Sequence, residues 1–314
     1  MVQTDLKFID LFAGIGGIKT GFMRAGFDCV YSNDIDYYCK QTFDNNFDIK
    51  LDISGIKAIN PQKLPDYNIL VGGFPCQAFS IAGYRKGFDD AGRGDLFFDI
   101  HNLLVHRPVE AFLLENVKNL ISHDNGKTIK IIEQHLINAG YFIDYKVLNT
   151  MDYADIPQNR ERIYIVGFRN KNALGRFEFP KKKLLSKTLL DILEQHKVDD
   201  RYYYNDKPLF EKIAPFIDKT NTAYQWRRKY VRENKSGVCP TLTANMGTGG
   251  HNVPIIKDDF GIRKLTPREC ARLQGFNDNY IFPKISDSHL YKQIGNSVSI
   301  PVIEQIAHEI KMAL

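Results

Sequence analysis

No run of about 18 consecutive apolar residues, the length a helix needs to cross a bilayer, occurs in the 314-residue sequence. The opening segment, MVQTDLKFIDLF, has no basic stretch followed by an apolar one and a small-residue cleavage site, so no leader is expected and the chain is placed in the cytoplasm. Cysteine is scarce and scattered. Cys29, Cys39, Cys76, Cys239 and Cys270 are odd in number, form no CxxC pair and lie too far apart for a metal cage, which argues against a disulfide framework and leaves reduced thiols and no metal as the expectation. Internal repeats and low-complexity tracts are also missing. Charge of one sign is in short supply: a net +5 with an isoelectric point near 8.7 permits a polyanionic partner without demanding one.

What the sequence does contain is alternation. KFIDLF, GIKTGFMRAG, FDCVYSND, the segment from Tyr37 to Phe47, YNILVGG and VEAFLLEN take turns as apolar runs and amphipathic stretches, the signature of βαβ units and a largely parallel sheet. Further strands are expected at Tyr141 to Leu148 and Arg162 to Phe168, with a helix from Lys127 to Asn138. From about Asp191 to Arg263 the periods weaken and Gly, Asn and Thr increase, so a smaller, irregular segment is expected there. TPRECARLQGF reads as a helix with Thr266 as N-cap and Pro267 at its first position, and a final helix is expected from about Pro301.

Three strand ends carry unusual chemistry. GGFPCQAFS at 72 to 80 follows an apolar run and sets Cys76 in a turn: Gly72 and Gly73 allow sharp bends, and Pro75 fixes a dihedral, so the thiol is presented rather than packed. Glu115 ends the apolar strand VEAFLL and points to the same edge, where a buried acid needs a partner or a raised pKa. In QNRERIY, Arg160 and Arg162 are two apart at a strand entrance, and period-two spacing puts both on one face. FAGIGG at 12 to 17 closes the first strand and opens the first helix; the small residues Ala13, Gly14, Gly16 and Gly17 make room for a nucleotide, although the third glycine of GxGxxG falls at Lys19. The next strand ends in SNDID, with Asp34 or Asp36 placed as a ribose-binding acid; Asp36 reads equally well as a helix N-cap, and Asp34 is the choice. Between Lys219 and Lys235, Arg227, Arg228, Lys229 and Arg232 interleave with Tyr224, Trp226 and Tyr230, the mixture that phosphates and bases require.

FIDLFAGIGG, GGFPCQAFS, LLENV, QNRERIY, RKLTPRECARLQGF and GNSVSIPV, in that order from Phe8 to Val302, resemble the six strongest motifs of the bacterial DNA (cytosine-5)-methyltransferases of type II restriction-modification systems. The resemblance implies an α/β fold, the Rossmann-like, mostly parallel sheet of S-adenosylmethionine-dependent methyltransferases with helices on both faces. It implies a catalytic domain over 1–190 and 296–314, a smaller target-recognition domain over 191–266 and a hinge segment over 267–295. It implies Cys76 as nucleophile on carbon 6 of a flipped-out cytosine, Glu115 on its N3 edge, Arg162 on its O2 edge and Arg160 on a phosphate or the loop. At the cofactor it implies Phe12 on the adenine, Asp34 on the ribose, Asp52 and Ile53 at the adenine edge, Leu96 and Asn296 at the methionine end, and contacts from the glycine turn and Pro75. Ile35 stands where the family often has an aromatic residue. On double-stranded DNA it implies Gln77, Ser80, Arg227, Arg228, Arg232, Thr241, Thr243 and Asn245, with a lid between Phe79 and Asp95. The expected product is S-adenosylhomocysteine, the expected state a monomer beside a restriction endonuclease, at the bacterial nucleoid. A related branch methylates transfer RNA, and a non-catalytic DNA-binding regulator is a further alternative; GFPCQAFS and the basic segment favour DNA. If Arg228 meets a phosphate, Arg228→Ala lowers the slope of log affinity against log salt by about 0.9, measured as duplex binding over a salt series.

Overall fold

The computed structural model describes residues 6–75, 96–248 and 252–314. The chain forms two compact units: Met1–Leu148, Glu161–Pro180 and Ile303–Leu314 make the first, and Asn149–Arg160 with Lys181–Val302 the second. In the first lies a six-stranded sheet built from β1 (Lys7–Leu11), β2 (Asp28–Asn33), β3 (Ile69–Gly73), β4 (Ala111–Val117), β5 (Phe142–Asn149) and β7 (Glu161–Phe168), in the order β2-β1-β3-β4-β7-β5. β1 pairs in parallel with β2 and β3, and β3 with β4, whereas β4 and β7 are antiparallel. A mostly parallel sheet was the expectation, and the antiparallel strand beside β4 is the detail that apolar runs do not reveal.

Burial explains which sequences occupy which places. β3 (ILVGG) and β4 (AFLLENV) are buried almost throughout, as interior strands covered on both faces must be. β5 alternates exposed and half-buried residues over FIDYKV, as a strand at the end of the order should. Helix α3 (Leu96–His106) buries Phe97, Ile100, Leu103 and Leu104, and α4 (Lys127–Asn138) buries Ile129, Ile132 and Leu136, each set on one 3.6-residue face. These side chains join Leu70, Phe112, Leu114 and Ile163 in one core, where each contributes about 1.5–3 kcal/mol. The earlier helices are α1 (Gly17–Arg24) and α2 (Tyr37–Asp44), the second ending three residues before the expected Phe47.

The second unit combines a small apolar cluster with a buried ion cluster. Four short strands, β8 (Tyr224–Trp226), β9 (Val231–Glu233), β11 (Ile255–Asp258) and β12 (Gly261–Lys264), form an antiparallel sheet in the order β12-β11-β8-β9. Strands of three or four residues carry too little alternation to be legible, which is why this stretch reads as weakly periodic. Separately, β6 (Gln158–Asn159) pairs with β10 (Cys239–Pro240). Arg263, fully buried on β12, donates twice to Glu269 at 2.8 Å and once to Asp258 at 2.5 Å. Glu269 in turn belongs to helix α5 (Pro267–Arg272), where Thr266 is the N-cap, Pro267 the first residue and Glu269 the reciprocal member of a capping box. Its oxygens also accept the N–H groups of Thr266 and Glu194 at 2.7 and 2.8 Å. Removing the cation leaves the fully buried Glu269 carboxylate without its counter-charge and takes one donor from half-buried Asp258. Arg263→Met therefore destabilises the protein by about 3–5 kcal/mol, read as a lowered urea midpoint.

Candidate active site

β1, β3 and β4 run the same way, so their carboxyl ends share one edge of the sheet, and Glu115 stands there, 8 % exposed, directly across from Gly73. A β-carbon on Gly73 would lie 3.3 Å from the Glu115 Oε2 atom, so the glycine leaves the carboxylate its room. The cation comes from the neighbouring strand. Arg162 pairs with Val117 across the antiparallel ladder, one period-two step from the Tyr164–Glu115 pair, and its Nε lies 3.1 Å from Glu115 Oε1. The next residue, Asn116, donates through Nδ2 to the Phe74 carbonyl at 2.9 Å and fixes the chain as it leaves β3 toward Pro75, which is exposed. Cys76, Gln77 and Ser80, and the expected lid from Phe79 to Asp95, lie outside the described residues.

The turn after β1 forms a second cluster. Phe12 has φ 56 and Gly14 φ 54, both left-handed; the phenylalanine holds a conformation that non-glycine residues seldom adopt, and its ring is half-buried against the core. Ala13 and Gly17 are buried, Gly17 begins α1 and Gly16 is its N-cap. Asp34, at the end of β2, accepts the Gly14 N–H at 2.9 Å and the Asp36 N–H at 2.8 Å, tying the turn to its own strand. Burial pushes its carboxyl up, and the two N–H groups oppose that. Asp36 is the N-cap of α2, accepting from Tyr38 and Cys39. The Asp52 N–H and carbonyl bond to Ser32 and Asp34, and its carboxylate accepts the Tyr31 hydroxyl at 2.5 Å. Although burial raises the Asp52 carboxyl, the Tyr31 and Ser54 donors hold it below the ordinary value. Ile35 and Ile53 are 73 % and 44 % exposed, an apolar pair left uncovered beside these acids. Leu96, half-buried, starts α3.

The remaining expected site residues belong to the second unit. Arg160 is 2 % exposed and donates to the carbonyls of Leu242 at 2.8 Å, Gly295 at 3.4 Å and Ser297. Arg160 and Arg162 thus serve different partners, one main-chain carbonyls, the other a carboxylate. Asn296 is exposed at the end of helix α6 (Asp287–Asn296). Arg227 and Arg228 are exposed in the turn between β8 and β9, Arg228 at φ 63, and exposed Arg232 lies opposite Gln225 on β9. Thr241 donates its hydroxyl to the Asn159 carbonyl at 2.6 Å, while Thr243 and Asn245 are exposed just beyond.

Three participants escaped notice in the sequence. Asp10, fully buried beneath the glycine turn, accepts the Lys19 N–H at 3.2 Å, and burial pushes its carboxyl up to about 8 against the pull of Lys19. An acid inside the apolar run KFIDLF was the available signal. Glu269 was signalled by the spacing of TPRE, and Gln158 by the amide that opens QNRERIY.

A mostly parallel sheet with a glycine turn after the first strand and an acid following the second defines a Rossmann-like α/β fold. The crystal structure of the S. pombe Dnmt2 methyltransferase shares the fold, with a TM-score of 0.73 at 21% identity over 98% of this chain and 97% of that one. The C-5 cytosine-specific DNA methylase family matches residues 6–312, and the chain belongs to that family. It is 51% identical over 309 residues to the type II methyltransferase M.Bsp6I of Bacillus sp. (strain RFL6), covering 97% of this chain and 98% of that relative. Against M.HhaI of Haemophilus parahaemolyticus the identity is 40% over 326 residues, 99% and 96% of the two chains. Removing either member of the Glu115–Arg162 pair strands the other in a largely buried place. Arg162→Ala and Glu115→Ala together therefore cost less than the sum of the single changes, with a coupling of about 0.5–3 kcal/mol in a double-mutant cycle of urea unfolding.

Proposed function

We propose that the chain methylates carbon 5 of a cytosine within a short specific site of double-stranded DNA, and that this mark protects the host from a cognate restriction endonuclease. Glu115 carries the proposal: a carboxylate at the sheet's carboxyl edge, clamped by Arg162 at 3.1 Å and adjoining the strand that leads to Cys76. Carbon 5 of cytosine is a poor nucleophile until the ring loses its aromaticity, and a thiolate adding at carbon 6 removes it. Cys76 supplies that thiolate. Glu115 engages the N3 edge and draws electron density from the ring, while Arg162 orients Glu115 and holds the O2 edge. Loss of the carbon 5 proton to water and expulsion of the Cys76 thiolate then restore the aromatic base. None of these atoms can be reached inside a stacked duplex, so the cytosine is extruded, at a cost of a few kcal/mol in pairing and stacking.

S-adenosylmethionine, when bound, supplies an electrophilic methyl group. The β1–α1 turn suits it: a β-carbon on Gly14 would meet nothing within 4 Å, so space is open above a backbone in a left-handed bend. Asp34 takes the ribose hydroxyls there, Phe12, Asp52 and the exposed Ile35 and Ile53 receive the adenine, and Leu96 and Asn296 serve the methionine end. The segment 191–266 reads the target. Its β8–β9 turn offers Arg227 and Arg228 to phosphates, and Arg232, Thr241, Thr243 and Asn245 serve the same surface. Arg160 acts there as a positioning residue, since its guanidinium is spent on main-chain carbonyls.

Purified protein incubated with S-adenosylmethionine and a duplex carrying 5-fluorocytosine at the site should form a complex that survives denaturation, linked at Cys76. Cys76→Ser should abolish the adduct and lower methyl transfer by about 10³-fold or more. Methyl transfer by the serine variant at the parental rate, or no adduct with the parent, overturns the covalent mechanism. Methylation of transfer RNA and not of duplex DNA overturns the substrate.

A further inference from the structure

Gln158 opens the QNRERIY motif and has no task in the mechanism above. It is fully buried in the second unit, with both ends of its amide engaged. Oε1 accepts the Leu242 N–H at 3.1 Å, and Nε2 donates to the Leu273 carbonyl at 2.6 Å. Turning the amide over would set donor against donor at Leu242, so the neighbours fix its orientation. Two residues on, Arg160 donates to the Leu242 carbonyl at 2.8 Å. Both polar groups of one residue's main chain are therefore held by side chains of a single short segment.

The flanking bonds tighten the same grip. The Cys239 N–H donates to the Pro157 carbonyl at 2.7 Å, and the Thr241 hydroxyl donates to the Asn159 carbonyl at 2.6 Å. Residues 239 to 242 are thus laced to 157 to 160, and just beyond them Thr243 and Asn245 are exposed while Met246 is buried again. Gln274 extends the network, donating to the Ile294 carbonyl at 2.8 Å while its own Oε1 lies 3.3 Å from Gln158 Nε2.

We propose that Gln158 is a specificity-determining positioning residue: by fixing the Leu242 peptide it sets where Thr243 and Asn245 stand, and so how sharply the enzyme discriminates between its target sequence and sites differing by one base. This rests on the reading that 241–245 faces DNA. A good base contact is worth about 1–3 kcal/mol only if its donor or acceptor is held in place, and an anchor that lets the loop wander forfeits discrimination before it forfeits turnover. Removing the amide from a closed interior also leaves the Leu242 N–H without its acceptor.

The target is first mapped by bisulfite sequencing of DNA from cells expressing the chain. kcat/KM is then measured on the target duplex and on duplexes with each single flanking base changed, for the parent and for Gln158→Met, which keeps the volume and loses both bonds. The ratio of target to best altered site should fall about tenfold or more, chiefly through a raised KM on the target duplex. Gln158→Glu, which keeps an acceptor for the Leu242 N–H, should retain more of the ratio than Gln158→Met. If Gln158→Met is not recovered folded, Gln158→Asn, whose amide stops one methylene short, carries the same expectation. An unchanged ratio in a folded Gln158→Met or Gln158→Asn overturns the proposal. Thr243→Ala and Asn245→Ala are measured alongside: if they lower discrimination and the Gln158 variants do not, only this inference falls, whereas if neither lowers it, the loop does not read bases and both readings fall.

Discussion

A carboxylate with little access to water is costly unless a cation meets it, and Glu115 meets one only because β7 runs against β4. In an antiparallel pair the start of one strand faces the end of the other, so Arg162, the second residue of β7, arrives at the carboxyl edge where β4 delivers Glu115. A parallel eight-residue strand would carry its first residues to the opposite edge, roughly 25 Å away. One reversal of direction in a sheet of otherwise parallel described pairs therefore assembles a charged pair from segments far apart in sequence. Gly73 and Asn116 complete the arrangement by giving the carboxylate space and pinning the chain beyond β3.

The glycine turn follows a related logic on the other side of the same edge. Asp34 closes the turn with two main-chain donors while remaining only partly buried, so it holds the turn's shape and still has a face to offer. Asp10 below it is sealed off entirely. Two acids within one strand pairing thus play opposite parts, and depth in the structure rather than residue type separates them.

How much of this was legible depended on how local the cause was. The core strands were visible because strands buried on both faces need unbroken apolar runs, and the Thr266 cap because its partners lie within one turn of helix. Glu115 stood out as an acid closing such a run. Arg160 offered no local clue to its partners: its acceptors at Leu242, Gly295 and Ser297 lie 82 to 137 residues further along, beyond what any period can encode. The small antiparallel sheet was hidden for a different reason, since strands of three or four residues are too short to display alternation and pack through side chains drawn from several segments.

β5 stands at the end of the large sheet's strand order, eight residues long, with Ile143, Tyr145 and Val147 turned to the core. A strand of that length and apolarity is the kind that recruits foreign strands and seeds fibrils. Asp144 and Lys146, exposed in alternation with those apolar residues, interrupt any such docking with charge. Charge at these two positions disfavours the docking of a foreign strand, a colloidal safeguard written outside the residues assigned to the proposed chemistry.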